Sequence, residues 1–285
     1  MGSVEIDGKE LAVLVTGFGP FREEYPVNPS WEIASRLPAY LPADRAKDVA
    51  ARRSAAADIA PLPPVRIHKL GPVRVNYEVV RGLVPGIWDG GIQVAEKNVA
   101  AGESQSENDD GVGSEGGGGG GYGDDKYDFV IHIGMAGEEP HYDIERRGHR
   151  DGYFLRDVDD ELLGDEARQE KEGKNWIWHD VPKELQTDLD INDVHRRWVE
   201  RSPSALDLRV SEDAGRYLCD FIYFSSLAHL YKQGRERKVV FFHVPAFPDE
   251  ASVQLGVELA LNLIRSIAES ELERMREKKK QSSTV

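Results

Sequence analysis

Three short segments of the chain are centred on runs of apolar residues, and they constrain the fold more than any other feature. They are residues 11–16 (LAVLVT), 127–134 (YDFVIHIG) and 237–243 (RKVVFFH). Short apolar runs without polar alternation are typical of strands that are buried on both faces. Such strands occur in parallel sheets covered by helices, so the sequence predicts an α/β fold.

The segments between these strands carry mostly helical signals. A further strand region is predicted over residues 64–75, and helices over residues 29–37, 79–84, 211–232 and 249–278. This order predicts an open three-layer α/β/α sandwich around a mostly parallel, twisted sheet, with residues 1–285 forming a single domain. Sites in such sheets lie at the carboxyl ends of the strands, which here fall at Gly17, Gly134 and His243.

Charge and composition narrow the classes of partner. The formal net charge of −15 disfavours nucleic acid and anionic membrane surfaces, because both attract positively charged proteins. The sequence contains no apolar run long enough to span a membrane, and its first residues lack the pattern of a secretory signal. A single cysteine excludes an internal disulfide and fits a reducing compartment, so a cytoplasmic protein is expected.

Three segments are predicted to elaborate the domain. Residues 102–126 are rich in Gly, Asp and Glu and are expected to form a flexible insertion, to which the sequence assigns no function. Residues 157–200 form a charged, partly helical insertion that includes three tryptophans. Residues 273–285 are a charged tail that is expected to fray from the last helix.

Cys219 is the only cysteine of the chain, and it lies in a segment with helix-start signals. Ser211 and Asp213 precede a small-residue turn and then an apolar run. Cys219 is therefore predicted in the first turn of a helix, where unpaired N–H groups and the helix dipole favour a thiolate. A free cysteine also often serves only as core packing, and its position alone leaves that interpretation open.

His243 and Glu145 are candidate partners for this thiol. His243 ends a buried strand, where a catalytic base is expected, although an ordinary hydrogen-bonded histidine is the alternative. Glu145 could hold the second imidazole nitrogen and fix the tautomer, although carboxylates are common in this chain.

A metal site is the competing interpretation of the same region. The candidate ligands His132, His141, Glu145 and His149 match no strong zinc pattern, and no cysteine supports them. The glycines around Phe18 also lack the third glycine of a dinucleotide-binding fingerprint. No metal and no cofactor are therefore predicted.

Four short blocks of sequence occur in an order that is hard to attribute to chance. They are residues 16–21 (TGFGPF) with 28–30 (NPS), 132–134 (HIG) with 144–146 (IER), 211–220 (SEDAGRYLCD) and 242–245 (FHVP). Together they resemble the signatures of the pyroglutamyl peptidase I family of cysteine exopeptidases. Residues 148–153 (GHRDGY) are similar to its eukaryotic branch.

The resemblance implies a function and a set of site residues. It implies a Cys–His–Glu triad of Cys219, His243 and Glu145, which hydrolyses N-terminal pyroglutamyl residues from peptides through a thioester. It also implies that Phe18 and Phe21 line the pocket for the pyrrolidone ring. Aromatic walls suit this small, flat and uncharged lactam, although core packing would otherwise be the simpler interpretation of both residues.

The sequence departs from the family pattern at several positions. The arginine credited with supporting the oxyanion in prokaryotic members has no counterpart at Leu155, so Arg156 and Arg150 remain weak candidates. The usual Gly-Gly after the first block is replaced by Arg22-Glu23. The insertions leave open whether the protein is a monomer or a homo-oligomer. A catalytically silent relative that binds modified N-termini and a metal-dependent hydrolase remain the alternative functions.

Overall fold

The computed structural model describes residues 10–23, 25–43, 62–90 and 127–282. The predicted insertion at residues 102–126 lies outside the described residues. Within the described ranges, the strands are β1 (Leu11–Phe18), β2 (Val65–Val73), β3 (Phe129–Met135), β4 (His141–Glu145), β5 (Arg147–His149), β6 (Glu184–Gln186), β7 (Asp207–Ser211) and β8 (Val239–Val244). The α-helices are α1 (Pro29–Arg36), α2 (Tyr77–Pro85), α3 (Asp165–Glu172), α4 (Ile191–Arg201), α5 (Leu218–Lys232) and α6 (Glu250–Ser282), and short π-helical and 3₁₀ turns occupy Gly86–Gly90 and Gly173–Asn175.

A mixed, mostly parallel sheet forms the centre of the fold, as the apolar segments predict. Its six strands lie in the order β2-β1-β3-β8-β4-β7. Strands β2, β1, β3 and β8 are mutually parallel, whereas β4 runs antiparallel to β8 and pairs in parallel with β7. The fold class predicted from the sequence is confirmed.

Helices cover both faces of this sheet. Helices α2 and α5 pack with one set of strand side chains, which includes Leu14 and Val130. Helices α1, α4 and α6 pack with the opposite set, which includes Val13 and Ile131. Successive side chains of a strand point to opposite faces, so β1 and β3 must be apolar at nearly every position.

The reversed pair β4 and β7 is the part of the sheet that the sequence does not predict. Strand β7 occupies residues that the sequence assigns in part to the following helix, and α5 begins at Leu218 rather than at residue 211. The Ser and Asp signals form a tight turn instead of a helix cap. The Asp213 carboxylate accepts from the Gly215 N–H at 3.0 Å, and the Ser211 hydroxyl accepts from the Asp213 N–H at 3.1 Å.

The charged segment 157–200 contributes side chains to the hydrophobic cores on both faces of the sheet. It contributes α3, a short 3₁₀ turn, β6 and α4. Trp176 and Trp178 pack on the α5 side, and Trp198 is fully buried on the α6 side, where its indole N–H donates to the Leu259 carbonyl at 2.9 Å. The amphipathic tryptophans therefore fix this elaboration to the domain.

Helix α6 continues to Ser282, where the sequence predicts fraying after residue 273. Arg274 and Lys278 on this segment bind Glu236, and Arg274 also binds Glu271, which anchors the charged end. In the described ranges, no helix is long and apolar enough to cross a membrane.

Candidate active site

Cys219 occupies the second position of α5, as the sequence predicts for the first turn of a helix. Tyr217 is the N-cap residue, and its side chain makes no capping hydrogen bond. The first N–H groups of a helix have no partner within the helix, so those around Cys219 are available to an external acceptor. The thiol is free and only partly buried.

His243 and Glu145 meet across the antiparallel pair of β8 and β4. The Nδ1 atom of His243 lies 2.7 Å from Oε1 of Glu145. Both side chains are buried, with 7% of His243 and 1% of Glu145 exposed. The reversed direction of β4 therefore brings the carboxylate beside the histidine within the sheet, rather than from a surface loop.

The environment of His243 favours its protonated form. Burial lowers the pKa of the imidazole, but hydrogen bonding to Cys219 and Glu145 and the charges of both groups outweigh it and raise the pKa to about 10. The structure therefore places Cys219, His243 and Glu145 together, with the histidine between the thiol and the carboxylate. A protonated histidine in this position stabilises a thiolate.

A pocket opens directly beside Cys219. Its volume is about 140 Å³, and it is lined by Phe18, Phe21, Tyr25, Asn28, Val75, Met135, Ala136, Tyr217, Leu218 and Cys219. The ring of Phe21 packs edge-on against Tyr217, with 5.5 Å between the centroids. The walls are mainly apolar and aromatic, which suits a small uncharged ring.

Asn28 and Ser30 hold the loop that carries the two phenylalanines. The Asn28 amide donates to the Gly19 carbonyl at 2.8 Å, and the Ser30 hydroxyl accepts from the Phe18 N–H at 3.0 Å. Asn28 also accepts from the Ser30 N–H and caps α1. Through these hydrogen bonds, the short Asn-Pro-Ser block holds the loop that lines the pocket in place.

A second carboxylate close to the triad is not predicted from the sequence. Asp143 lies directly opposite His243 in the strand pair, and burial raises the pKa of its carboxyl group. The Nε2 atom of His141 lies 3.0 Å from the Asp143 carboxylate. The alternation of polar and apolar residues in β4 is the one signal that could have identified this strand.

Neither candidate arginine lines the pocket. The guanidinium of Arg150 donates to the Asp151 carboxylate at 2.9 Å and to the Val181 carbonyl at 2.7 Å, and it stacks over Trp176. Arg156 is exposed and donates to the Asp160 carbonyl at 2.6 Å. Each guanidinium is held by other acceptors in this structure, and the assignment of either residue to oxyanion support stays a prediction.

The histidines considered as metal ligands lie in separate environments. His132 is fully buried between Thr16 and Ser226, and burial lowers its pKa to about 3. His149 contacts the buried Asp220, with its Nδ1 atom 3.3 Å from the carboxylate. Across the described part of the chain, no three His, Cys, Asp or Glu side chains group as metal ligands.

Gly134 permits the thiol to approach the sheet, and its replacement gives a test of this geometry. A Cβ atom at this position would lie 2.5 Å from the Phe241 ring and 2.8 Å from Sγ of Cys219. We expect Gly134→Ala to displace the thiol, lower kcat at least about tenfold and reduce the free energy of unfolding by about 1–3 kcal/mol. Steady-state kinetics and denaturant unfolding measure the two effects.

Gly137 provides the matched control for this substitution, because a Cβ atom there would have no neighbour within 4 Å. Gly137→Ala is expected to leave both quantities near their wild-type values. Wild-type kinetics for Gly134→Ala would contradict the close approach of Cys219 to β3.

Comparison with known proteins gives a consistent result. The model of the family described as pyroglutamyl peptidase matches residues 122–267. Pyroglutamyl-peptidase 1 of Mus musculus is 27% identical over 234 residues, which cover 82% of this chain and 78% of the relative. Pyrrolidone-carboxylate peptidase of Bacillus cereus is 24% identical over 274 residues, or 90% of this chain and 93% of the relative.

Solved structures show the same fold at lower identity. A mutant pyrrolidone carboxyl peptidase from Pyrococcus furiosus has a TM-score of 0.54 and 19% sequence identity, and the alignment covers 93% of this chain and 100% of that chain.

Proposed function

The chain belongs to the pyroglutamyl peptidase family, and from this premise we propose that it is a cysteine exopeptidase that hydrolyses the N-terminal pyroglutamyl residue of peptides. The observation that carries the proposal is the arrangement at the end of the sheet. Cys219 lies in the first turn of α5, and His243 is held by Glu145 at 2.7 Å. An aromatic pocket adjoins the thiol.

The first step is attack by Cys219 on the carbonyl carbon that joins the pyroglutamyl residue to the next residue. The His243 imidazolium and the first turn of α5 stabilise the thiolate before the attack. The negative charge that forms on the carbonyl oxygen is stabilised by backbone N–H groups of that turn, including the N–H of Cys219.

The second step is release of the shortened peptide. The C–N bond breaks, and His243 transfers its proton to the leaving amine, so that a thioester and a neutral imidazole remain. Glu145 accepts a hydrogen bond from Nδ1 throughout, which fixes the tautomer that presents Nε2 to the substrate.

The last step is hydrolysis of the thioester. His243 takes a proton from water as the hydroxide adds to the acyl carbon, and the Cys219 thiolate leaves. Pyroglutamic acid is released, and the thiolate–imidazolium pair is restored.

The walls of the pocket bind the lactam ring. Phe18 and Phe21 contact the faces of the ring, and Asn28 holds their loop in place. The pocket is small and mainly apolar, which suits a single pyrrolidone ring. We place this reaction in the cytoplasm, because Cys219 must remain reduced to act.

The test is hydrolysis of L-pyroglutamyl-aminomethylcoumarin beside the prolyl and alanyl analogues. We expect cleavage of the pyroglutamyl substrate alone, inactivation by iodoacetamide and full activity in EDTA. Inhibition by EDTA but not by iodoacetamide would favour a metal-dependent hydrolase. Absence of cleavage by a folded protein would favour a relative that only binds modified N-termini.

A further inference from the structure

A buried histidine that the proposed mechanism does not use lies behind the triad. His132 on β3 is completely buried, and both of its ring nitrogens have partners. Its Nδ1 atom lies 2.8 Å from Oγ1 of Thr16 on β1, and its Nε2 atom lies 2.9 Å from Oγ of Ser226 on α5. Thr16 and Ser226 are buried as well. The imidazole therefore joins β1, β3 and α5 in one chain of hydrogen bonds.

This chain of hydrogen bonds carries no charge. Burial lowers the pKa of His132 to about 3, so the imidazole is neutral at ordinary pH. A neutral imidazole has one donor and one acceptor nitrogen, and the two hydroxyl groups supply the complementary roles. Both nitrogens are thus occupied, and His132 acts on the reaction only through the elements that it connects.

On the sheet, the hydrogen-bonded residues lie one step behind residues of the site. Thr16 and His132 are direct partners in the pairing of β1 with β3, and every other residue of these two strands is apolar or glycine. Phe18 and Gly134 follow them by two residues, and side chains at that spacing share a face of the sheet. Phe18 lines the lactam pocket, and Gly134 lies against the thiol.

On α5, Ser226 has the same relation to the nucleophile. It follows Cys219 by seven residues, or about two turns, so both side chains face β3. Nearly all of α5 is buried, and most of its side chains are apolar. Apolar contacts have no preferred direction, whereas a hydrogen bond fixes a distance and an angle. The bond between Ser226 and His132 therefore sets the place of α5 along β3.

We propose that Thr16, His132 and Ser226 are positioning residues for the proposed peptidase reaction. Their hydrogen bonds hold α5 at one place on the sheet, so that the Cys219 thiol lies between His243 and the lactam pocket. A buried polar network whose members are all satisfied specifies one arrangement, where apolar packing alone allows several. The inference rests on the proposed function, because that reaction requires the thiol at this place.

Replacement of Ser226 by alanine tests the proposal, with Ser266→Ala as the matched control. Ser266 is equally buried, and its hydroxyl donates to the Asn262 carbonyl within α6, on the opposite face of the sheet. Both variants should unfold at a somewhat lower temperature, because each loses one hydrogen bond. Only Ser226→Ala should lower kcat for pyroglutamyl-aminomethylcoumarin, by about tenfold or more, with KM changed less than about threefold.

The other end of the network provides a rescue experiment. Thr16→Val removes the hydroxyl and keeps the shape of the side chain, whereas Thr16→Ser keeps the hydroxyl. We expect kcat to fall about tenfold in Thr16→Val and less than about threefold in Thr16→Ser. The Thr16→Val/Ser226→Ala double variant should lose much less than the product of the two single losses, since both act through His132. This pair carries the same comparison if Ser226→Ala does not fold.

Alkylation of Cys219 by iodoacetamide gives a measurement that does not require peptidase activity. At about pH 6 an ordinary thiol is protonated, so the rate reports the thiolate that His243 stabilises. The rate should fall at least about threefold in Ser226→Ala and Thr16→Val, and stay near wild type in Ser266→Ala and Thr16→Ser. These rate differences in a wild-type protein that releases no coumarin would support the positioning role and refute only the proposed function.

Three outcomes overturn the proposal. The first is wild-type kcat and wild-type alkylation in both Ser226→Ala and Thr16→Val, because the hydroxyl groups would then contribute to stability alone. The second is an equal loss of kcat or of alkylation rate in Ser226→Ala and Ser266→Ala. The third is a Thr16→Ser variant that is as impaired as Thr16→Val.

Discussion

Replacement of Cys219 by alanine is expected to lower kcat for pyroglutamyl-aminomethylcoumarin by about 10³-fold or more. The proposed mechanism passes through a thioester, and no other cysteine exists in the chain to form it. The residual pocket still binds the lactam, so KM should change much less than kcat. Initial rates at several substrate concentrations separate the two constants.

The fold should survive this change. Cys219 is only partly buried, and alanine favours the helix in which it lies. Cys219→Ser is the matched variant, because it keeps the size of the side chain and replaces only the nucleophilic atom. Both variants should unfold thermally near the wild-type temperature. A variant that is folded and retains activity within tenfold of wild type would refute the role of the thiol.

Replacement of Glu145 by glutamine is expected to lower kcat by about 10²- to 10⁴-fold and to change its pH dependence. Glutamine keeps the shape of the side chain but removes the charge that stabilises the His243 imidazolium. The carboxylate is one of the groups that raise the pKa of His243 to about 10. Its loss should therefore move that pKa downward.

The direction of the pH effect follows from the proton that His243 carries. In the wild type, the imidazolium that protonates the leaving amine is lost as the pH rises through about 10, so activity should fall on that alkaline limb. In Glu145→Gln, the same limb should shift to lower pH. Glu139→Gln is the control, since this exposed carboxylate contacts His141 rather than His243. An unchanged alkaline limb in Glu145→Gln would contradict the pairing.

The same shift has a consequence for stability. The pKa of His243 in the folded protein lies above its ordinary value of 6.5. Its contribution to the free energy of unfolding is therefore complete below about pH 6.5 and is lost as the pH rises to about 10. Glu145→Gln should weaken this pH dependence, and urea unfolding across that range measures it.

The parts of the fold that local composition determines could be predicted from the sequence. Strands β1, β3 and β8 are continuous apolar runs because both of their faces are covered, and that pattern is visible without any partner. The same holds for the position of Cys219, since an apolar helix after a small-residue turn is a local signal.

The parts of the fold and of the site that depend on contacts between distant segments of the chain could not be predicted in this way. Strand β4 contains Asp143 and Glu145, whose burial is tolerated only because His141 and His243 lie beside them in space. Strand β7 is short and partly exposed, and its charged residues interrupt the apolar pattern that would otherwise indicate a strand.

The strand order brings two distant parts of the chain together at the carboxyl ends of the parallel strands. Strand β1 lies beside β3, and β3 beside β8, so Phe18 and Phe21 meet residues that follow much later in the sequence. The family model spans residues 122–267, which include all three proposed catalytic residues and neither phenylalanine. The wall of the pocket is thus assembled from both sides of that boundary, since Phe18 and Phe21 precede it while Met135 and Tyr217 lie within it.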